Sequence, residues 1–372
     1  AIVPADEVTA FENLKLTGVS ATARNNLNSA IYKTGAGSVE IRNCQIVNNQ
    51  TNSKQAQGLY LSGAATSTAV ISNCLFAGNV TTGYASGPGQ ALYLLTFKEV
   101  VLDSCSFVTN GVSFSRGVSN LAGSGAVRAP AIYASNAPIK ARNCSFVANR
   151  CLWINGVATG VVMLEGEGGE TSFENCRWIG NSEMCGYILN ANYGYDATTA
   201  TRGGAIVVNF SSNESTVMLK NCTVAMNHPD SPSNAAGVTV VKGKLNVVDS
   251  IIANNIRPKY AAAGADLMVA GAAEVALTNV QLTANDASSF ILGANGENPP
   301  SRSGLRFGDP LFVTPLSNVT ARISTAVSWT YSHPYFNTAS LPTLLAIDSG
   351  LTAESPALGL GASVATDPAI PT

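Results

Sequence analysis

Short apolar–polar alternations recur along the whole chain. One set reads Val39-Glu40-Ile41, Ala69-Val70-Ile71, Val100-Val101-Leu102, Val217-Met218-Leu219 and Val275-Ala276-Leu277. A second reads Ala30-Ile31-Tyr32, Ala91-Leu92-Tyr93, Ala131-Ile132-Tyr133 and Ala205-Ile206-Val207. A period of two marks half-buried strands. Gly, Ser, Asn and Ala clusters separate the runs, and no helical segment of ten or more residues lies between them.

Each pair of runs leads into a seven-residue signature. It appears as Asn43-Cys44-Gln45-Ile46-Val47-Asn48-Asn49 and again from Asn73, Ser104, Asn143, Asn175 and Asn221. Copies from Asp249 and Asn279 lose the cysteine, and a weaker one begins at Asn13. Successive starts lie 30, 30, 31, 39, 32, 46, 28 and 30 residues apart. The chain is therefore read as an all-β solenoid, a parallel β-helix of about 30 residues and three short strands per coil. Propeller blades need a fourth strand and a longer period, and leucine-rich repeats need a Leu spacing that is absent. Nine coils stacked at ~4.8 Å predict a rod roughly 40 Å long. Residues 1–285 are assigned to the coils, and 286–372, where the signature is lost, to an irregular closing segment leading to a linker.

Two side-chain ladders follow. Cys44, Cys74, Cys105, Cys144, Cys176 and Cys222 share one position and are expected to stack inward as small apolar fillers. Ser250 and Val280 stand at that position in later coils, which argues for packing over metal or redox chemistry. Cys151 and Cys185 lie outside the ladder, where a bridge and two separate thiols are both open readings. The closing Asn49, Asn79, Asn110, Asn149, Asn181, Asn227, Asn255 and Asn285 form the second ladder. Asn tolerates left-handed backbone, and its amide can bond the coil above. The Asn-x-Ser/Thr triplets at Asn79, Asn143 and Asn221 fall inside the signature and read as its by-products.

Composition then narrows the function. The chain has 372 residues, 46% hydrophobic and only 12% charged, with a net charge of −2. That balance excludes disorder and the basic footprint of a nucleic-acid binder. The most apolar stretch, 261–277, is interrupted by Asp266 and Glu274, so no membrane-spanning segment is expected. Low charge itself fits a β-helix, because stacking like charges one above another is unfavourable.

Phe76-Ala77-Gly78-Asn79, Phe107-Val108-Thr109-Asn110 and Phe146-Val147-Ala148-Asn149, with Gly203-Gly204-Ala205-Ile206, resemble the FxxN and GGA(I/L/V) repeats of bacterial polymorphic outer-membrane proteins. These belong to the wider group of right-handed, pectin-lyase-like β-helix surface proteins. Asp309-Pro310-Leu311-Phe312, with Ser355-Pro356-Ala357-Leu358-Gly359, resembles the closing segment of secreted bacterial β-helix proteins. The resemblance spans most of residues 10–361. It implies the fold, a secreted or cell-surface location, and either adhesion or polysaccharide lyase, hydrolase or epimerase activity. The chain lacks the C-terminal β-barrel pattern of an autotransporter.

Coil length locates candidate chemistry. From the closing Asn to the Tyr position of the next coil the gap is 11–14 residues, except for 23 between Asn110 and Tyr133 and 26 between Asn181 and Val207. Both excursions, 111–129 and 182–203, leave from one corner two coils apart, hence ~10 Å from each other. They and the coil between them carry Phe114, Arg116, Arg128, Arg150, Trp153, Tyr187, Tyr193, Tyr195, Asp196 and Arg202. Aromatic rings with Arg and Asn suit sugar recognition, and loops on rigid scaffolds concentrate function. Arg116, Arg150, Trp153, Tyr187, Tyr193, Tyr195, Asp196 and Arg202 are taken as the carbohydrate-binding set.

Catalytic readings are thinner. Tyr193-Gly194-Tyr195-Asp196 is similar to the opening of the catalytic segment of alginate epimerases, but Ala197-Thr198 stands where that family has Pro-His. Glu165, Glu167 and Glu170 cluster at a short turn and are read as solvated. His228 and His333 lie far apart, each beside a proline. No metal or cofactor is called for. The expectation is an extracellular bacterial β-helix protein, a non-catalytic adhesin or structural glycan-binding protein. Its partners would be a polysaccharide or a host or neighbour-cell surface glycan, with self-association through the solenoid ends or flank. The alternative is a polysaccharide-active enzyme, lyase first, with its site beside the two excursions. The first coil begins without a polar cap, as expected of a trimmed chain covered by a preceding segment or a partner.

Overall fold

The computed structural model describes residues 2–3, 8–21, 29–51, 58–81, 89–112, 128–153, 160–185, 204–229, 237–255, 266–283, 291–293, 301–312, 327–328, 335–336, 353–355 and 357. Among them there is no helix, and parallel pairing dominates: one sheet has 26 strands and a second has seven. The architecture is all-β and compatible with a solenoid.

Three ladders make up the large sheet. The first runs through Ile31–Lys33, Leu59–Ser62, Leu92–Leu95, Ile132–Ser135, Val162–Gly166 and Ile206–Phe210. The second contains Val39–Arg42, Thr68–Ser72, Glu99–Asp103, Ile139–Arg142, Glu170–Glu174 and Thr216–Lys220. The third contains the signature strands, from Gln45–Val47 to Thr223–Ala225. Val238–Ala253 and Leu267–Leu282 each pass through all three positions as one strand. Pairing continues past residue 285, through Ile291–Gly293, Ser301–Ser303 and Arg306–Phe307. The seven-stranded sheet is a further run of short strands directly after the closing Asn, such as Gln50–Thr51, Val80–Thr81 and Arg150–Trp153. Most of these strands are two residues long and show no alternation, so the sequence pattern could not display the run.

The core is built from the inward members of each strand. Phe76, Phe107, Phe146 and Trp178 stack 4.7–5.0 Å apart with interplanar angles of 4–7°. The six ladder cysteines are buried and not disulfide-bonded. Each donates its S–H to the carbonyl two residues earlier, as Cys44 does to Arg42 at 3.1 Å and Cys222 to Lys220 at 3.3 Å. Ser250 makes the same bond to Val248 at 2.7 Å, which explains why Ser can follow Cys. Burial holds the Cys105 and Cys176 thiols well above their ordinary range, so they are unreactive. Cys151 stands across from Glu183, and Cys185 across from Trp153, so those two cysteines are not register partners.

The two roles expected of the closing Asn belong to different residues. The left-handed corners fall on the first signature residue (Asn43, Asn73, Asn143, Asn175, Asn221) and on the one before the last (Asn48, Gly78, Ala148, Gly180, Met226). The closing Asn supplies only its amide, and it is buried from Asn49 to Asn255. Asn79 Nδ2, for example, donates to Asn110 Oδ1 at 2.9 Å and to the Ile46 carbonyl at 2.8 Å. Asn110 Oδ1 also accepts the Asn79 backbone N–H at 3.1 Å. Asn285, the expected last rung, lies outside the described residues. Asn255 instead donates to the buried Asp266 at 3.0 Å, and Asp266 accepts the Thr283 N–H at 3.0 Å.

The outward face of the second ladder does carry charge, contrary to the expectation from stacking, but the signs alternate. Glu12, Arg42, Ser72, Asp103, Arg142, Glu174 and Lys220 succeed one another in register. Arg142 pairs with Asp103 at 2.8 Å and Lys220 with Glu174 at 3.0 Å. The outward face of the third ladder is largely buried, with a polar row that includes Ser106, Ser145 and Arg177, whose Nε donates to Ser145 Oγ at 2.9 Å, and an apolar row through Val108, Val147 and Ile179. Phe312 and Ala357, from the two closing motifs, pack there with Val108, Val147 and Ile179. Asp309 accepts from Asn254 Nδ2 and from the Leu311 N–H, turning the chain at the last corner.

Two predictions follow from the corners and the ladder end. Ala148 has φ 54°, whereas the equally buried Ala141 lies in a regular strand. A non-glycine residue in that left-handed region costs ~1–2 kcal/mol. Ala148→Gly should therefore lie within ~0.5 kcal/mol of wild type, while Ala141→Gly loses ~1–2 kcal/mol. Equal losses in denaturant melts would contradict the assignment. Burial raises the Asp266 carboxyl from its ordinary range to about 6, outweighing its hydrogen bonds from Thr283 and Asn255. Its stabilising contribution is complete below the unfolded-state pKa near 4 and is lost as pH rises through about 6. Between pH 4 and 7, wild type should lose ~2 kcal/mol relative to Asp266→Asn. Parallel stability–pH curves for the two proteins would refute this.

Candidate functional site

Of the eight residues taken as the carbohydrate-binding set, Arg116, Tyr187, Tyr193, Tyr195, Asp196 and Arg202 lie outside the described residues. Arg150 and Trp153 sit at the two ends of the strand Arg150–Trp153 in the seven-stranded sheet. Arg150 is half-buried, and its N–H donates to the Asn110 carbonyl at 2.8 Å.

The structure brings together a different group beside them. On the first ladder, Ile132 and Ala134 point into the core, so Tyr133 points outward; Val162 and Leu164 do the same for Met163 and Glu165. Arg128, where the first excursion returns, forms a salt bridge with Glu165 Oε1. The Tyr133 hydroxyl donates to Glu165 Oε2 at 2.6 Å, and Asn209 Nδ2 approaches Oε1 at 3.4 Å. The Arg128 guanidinium also lies 5.7 Å from the centre of the Tyr133 ring. Glu165 was expected to be a solvated turn residue, yet its side chain is only 16% exposed. It occupies the last outward position of Val162–Gly166, between Ser135 and Asn209 in register. Continuing the Val162–Leu164 alternation one residue further would have placed it there. Arg128 stood among the excursion residues in the sequence, but no pattern tied it to a carboxylate 37 positions away.

Backbone contacts join this cluster to Arg150. The Gly160 N–H donates to the Arg128 carbonyl at 2.8 Å. Gly111, with φ 134°, leaves no room for a side chain: a Cβ there would come within 1.9 Å of the Arg150 carbonyl oxygen and 3.0 Å of Pro130 Cβ. Glycine thus lets the segment Arg128–Pro130 lie against the corner that carries Arg150. The rest of the surroundings is apolar, since Ala129, Met163, Val207 and Val241 are buried with Tyr133.

Tyr133 also ends an outward aromatic row. Tyr32, Tyr60, Tyr93 and Tyr133 stack at 4.8, 4.8 and 5.0 Å, with ring planes within 17° of parallel. Ring faces within the row are occupied by neighbouring rings, so the row offers edges and hydroxyls. Burial raises the Tyr93 phenol to about 12, and burial followed by the Glu165 hydrogen bond raises Tyr133 further. Both stay protonated near neutral pH and act as hydrogen-bond donors, not bases. Glu165 presents an acceptor already oriented by three donors, and Arg128 a cation fixed beside it. This suits hydrogen bonding to vicinal hydroxyls. Among the described residues, no three His, Cys, Asp or Glu side chains are grouped to hold a metal ion.

Comparison of the chain with family models, curated proteins and solved structures returns no match.

Replacing Glu165 by Gln should lower the Tyr133 pKa, because the anion that opposes phenolate formation is removed, while burial keeps it above the free phenol. Ultraviolet titration of the tyrosines should show one phenol moving down. An unchanged titration curve would mean that Glu165 does not hold Tyr133.

Proposed function

We propose that this chain is an extracellular bacterial surface protein, a right-handed, pectin-lyase-like parallel β-helix that binds glycans without cleaving them. The observation that carries the reading is the Arg128–Glu165–Tyr133–Asn209 cluster. Its donors and acceptors are fixed by ladder register at the foot of the first excursion, so a ligand meets an ordered polar set on a rigid wall. Arg150 and Trp153 extend this corner. Arg116, Tyr187, Tyr193, Tyr195, Asp196 and Arg202, on the two excursions, would supply the aromatic contacts. The motifs around Asp309 and Ser355, which resemble those closing secreted β-helix proteins, support an extracellular setting. The raised phenol pKa of Tyr133 favours binding over proton abstraction, which is why a lyase is the lesser reading.

A glycan array with wild type, Arg128→Ala and the double variant Trp153→Ala/Tyr193→Ala tests this. Wild type should retain a polysaccharide that both variants bind at least ~10-fold more weakly, a loss of ~1.4 kcal/mol. Unchanged binding by both variants would remove the corner as the site. Release of unsaturated sugar ends from the bound polysaccharide, seen as ultraviolet absorbance, would replace the binding reading with a lyase.

A further inference from the structure

The outward tyrosine row has a chemistry that sugar binding does not use. Four phenol rings lie face to face at 4.8–5.0 Å, close enough for their π systems to exchange an electron directly. The row is asymmetric. Tyr32, Tyr60 and Tyr93 are partly exposed, whereas Tyr133 is nearly buried. Among the described residues, the Tyr133 hydroxyl is the one in the row that donates to a carboxylate, at 2.6 Å from Glu165 Oε2. One-electron oxidation makes a phenol a very strong acid, so the cost of oxidation falls wherever a base already holds the proton. Tyr133 has such a base in Glu165.

We propose that the Tyr32–Tyr60–Tyr93–Tyr133 stack is a one-electron relay that carries oxidising equivalents from the exposed rings to Tyr133, where Glu165 accepts the proton. In the net step, an external one-electron oxidant, such as a high-potential metal complex or a carbonate radical, removes one electron from an exposed ring and is itself reduced by one electron. The vacancy moves along the stack as each ring takes an electron from the next. At Tyr133 the O–H bond breaks, its proton passes along the existing hydrogen bond to Glu165 Oε2, and a neutral phenoxyl radical faces a protonated carboxyl. No atom is lost, and a single reductant electron with return of the proton restores the site. Met163, next in register after Tyr133 and fully buried, is the oxidisable thioether lying behind this sink.

Flash oxidation of the full chain with photogenerated tris(bipyridine)ruthenium(III), followed by freeze-quench electron paramagnetic resonance, tests the relay. The expected wild-type signal is a phenoxyl radical coupled to one exchangeable hydrogen-bonded proton, and Tyr133→Phe should abolish that coupling. Tyr93→Leu interrupts the stack while keeping both members of the Tyr133–Glu165 hydrogen bond, and should cause loss of the coupled signal while leaving an uncoupled phenoxyl on Tyr32 or Tyr60. Glu165→Gln should likewise move the radical off Tyr133. If that variant is misfolded by circular dichroism, the native chain still decides the matter: radical formation at Tyr133 should slow in deuterium oxide. A wild-type radical spread over Tyr32, Tyr60 and Tyr93 without the proton coupling, or a coupled signal that survives Tyr93→Leu, would overturn the proposal. So would the absence of a solvent isotope effect.

Discussion

A buried carboxamide must find two acceptors for its N–H groups and donors for its oxygen, or leave polar atoms unpaired at ~1–3 kcal/mol each. From Asn110 to Asn227 that requirement is met in full, and always the same way. Each Nδ2 donates once to the next Asn and once to a carbonyl of the preceding repeat, as Asn149 does to Asn181 at 3.0 Å and to Phe107 at 2.8 Å. Each Oδ1 accepts the side chain and the backbone N–H of the Asn before it, as Asn149 does from Asn110 at 3.0 Å in both cases. The pattern works only if successive repeats rise by the same amount and meet in register. The spacing of the Phe–Trp stack, the thiols and the outward tyrosines follows from that condition. So does the tolerance of long excursions, because a loop that leaves after the amide and returns before the next strand does not disturb a rung.

A ladder of identical rungs cannot satisfy its own ends, and the chain solves each end differently. At the start, Val19 offers its backbone N–H to Asn49 Oδ1 at 3.1 Å and has no amide of its own to satisfy. At the far end the surplus donor of Asn255 meets a carboxylate. Asp266 accepts without needing to donate, which a further Asn could not do, and its cost is the desolvation of a charge. A charged residue in the most apolar stretch of the chain is thus the stop of a polar ladder. The alternating charges on the second ladder obey a related rule. Neighbours of opposite sign 4–5 Å apart attract, so a charged row is tolerated once its signs alternate.

Period and alternation were enough to read the parallel repeat and to place the cysteine and asparagine positions, because both are repeated eight or so times and each copy reinforces the others. What they could not show is which Asn does what. Asn43 and Asn49 carry the same side chain, and only backbone angles reveal that Asn43 sits at φ 53° while Asn49 is the amide donor. The fourth run of strands was invisible because most of its members have two residues, too few to show a period. Glu165 was misread because it ends its strand next to Gly166, and a Glu followed by glycines looks like a turn. Its partners Arg128 and Tyr133 come from another repeat, and nothing local records them.

The same contrast explains where function can reside on such a wall. Ladder positions answer to the repeats above and below, so a residue there is constrained by stacking before any ligand is considered. The exposed ion pairs of the second ladder are largely screened and add little. Glu165 differs, because the first ladder's outward face is partly covered at that level and its carboxylate is desolvated among Arg128, Tyr133 and Asn209. A charge in that setting orients its neighbours, and after burial, the larger cause, the Glu165 hydrogen bond helps to raise the Tyr133 phenol. Specific chemistry on this scaffold therefore belongs where the wall carries a buried charge, as Glu165 does beside Arg128.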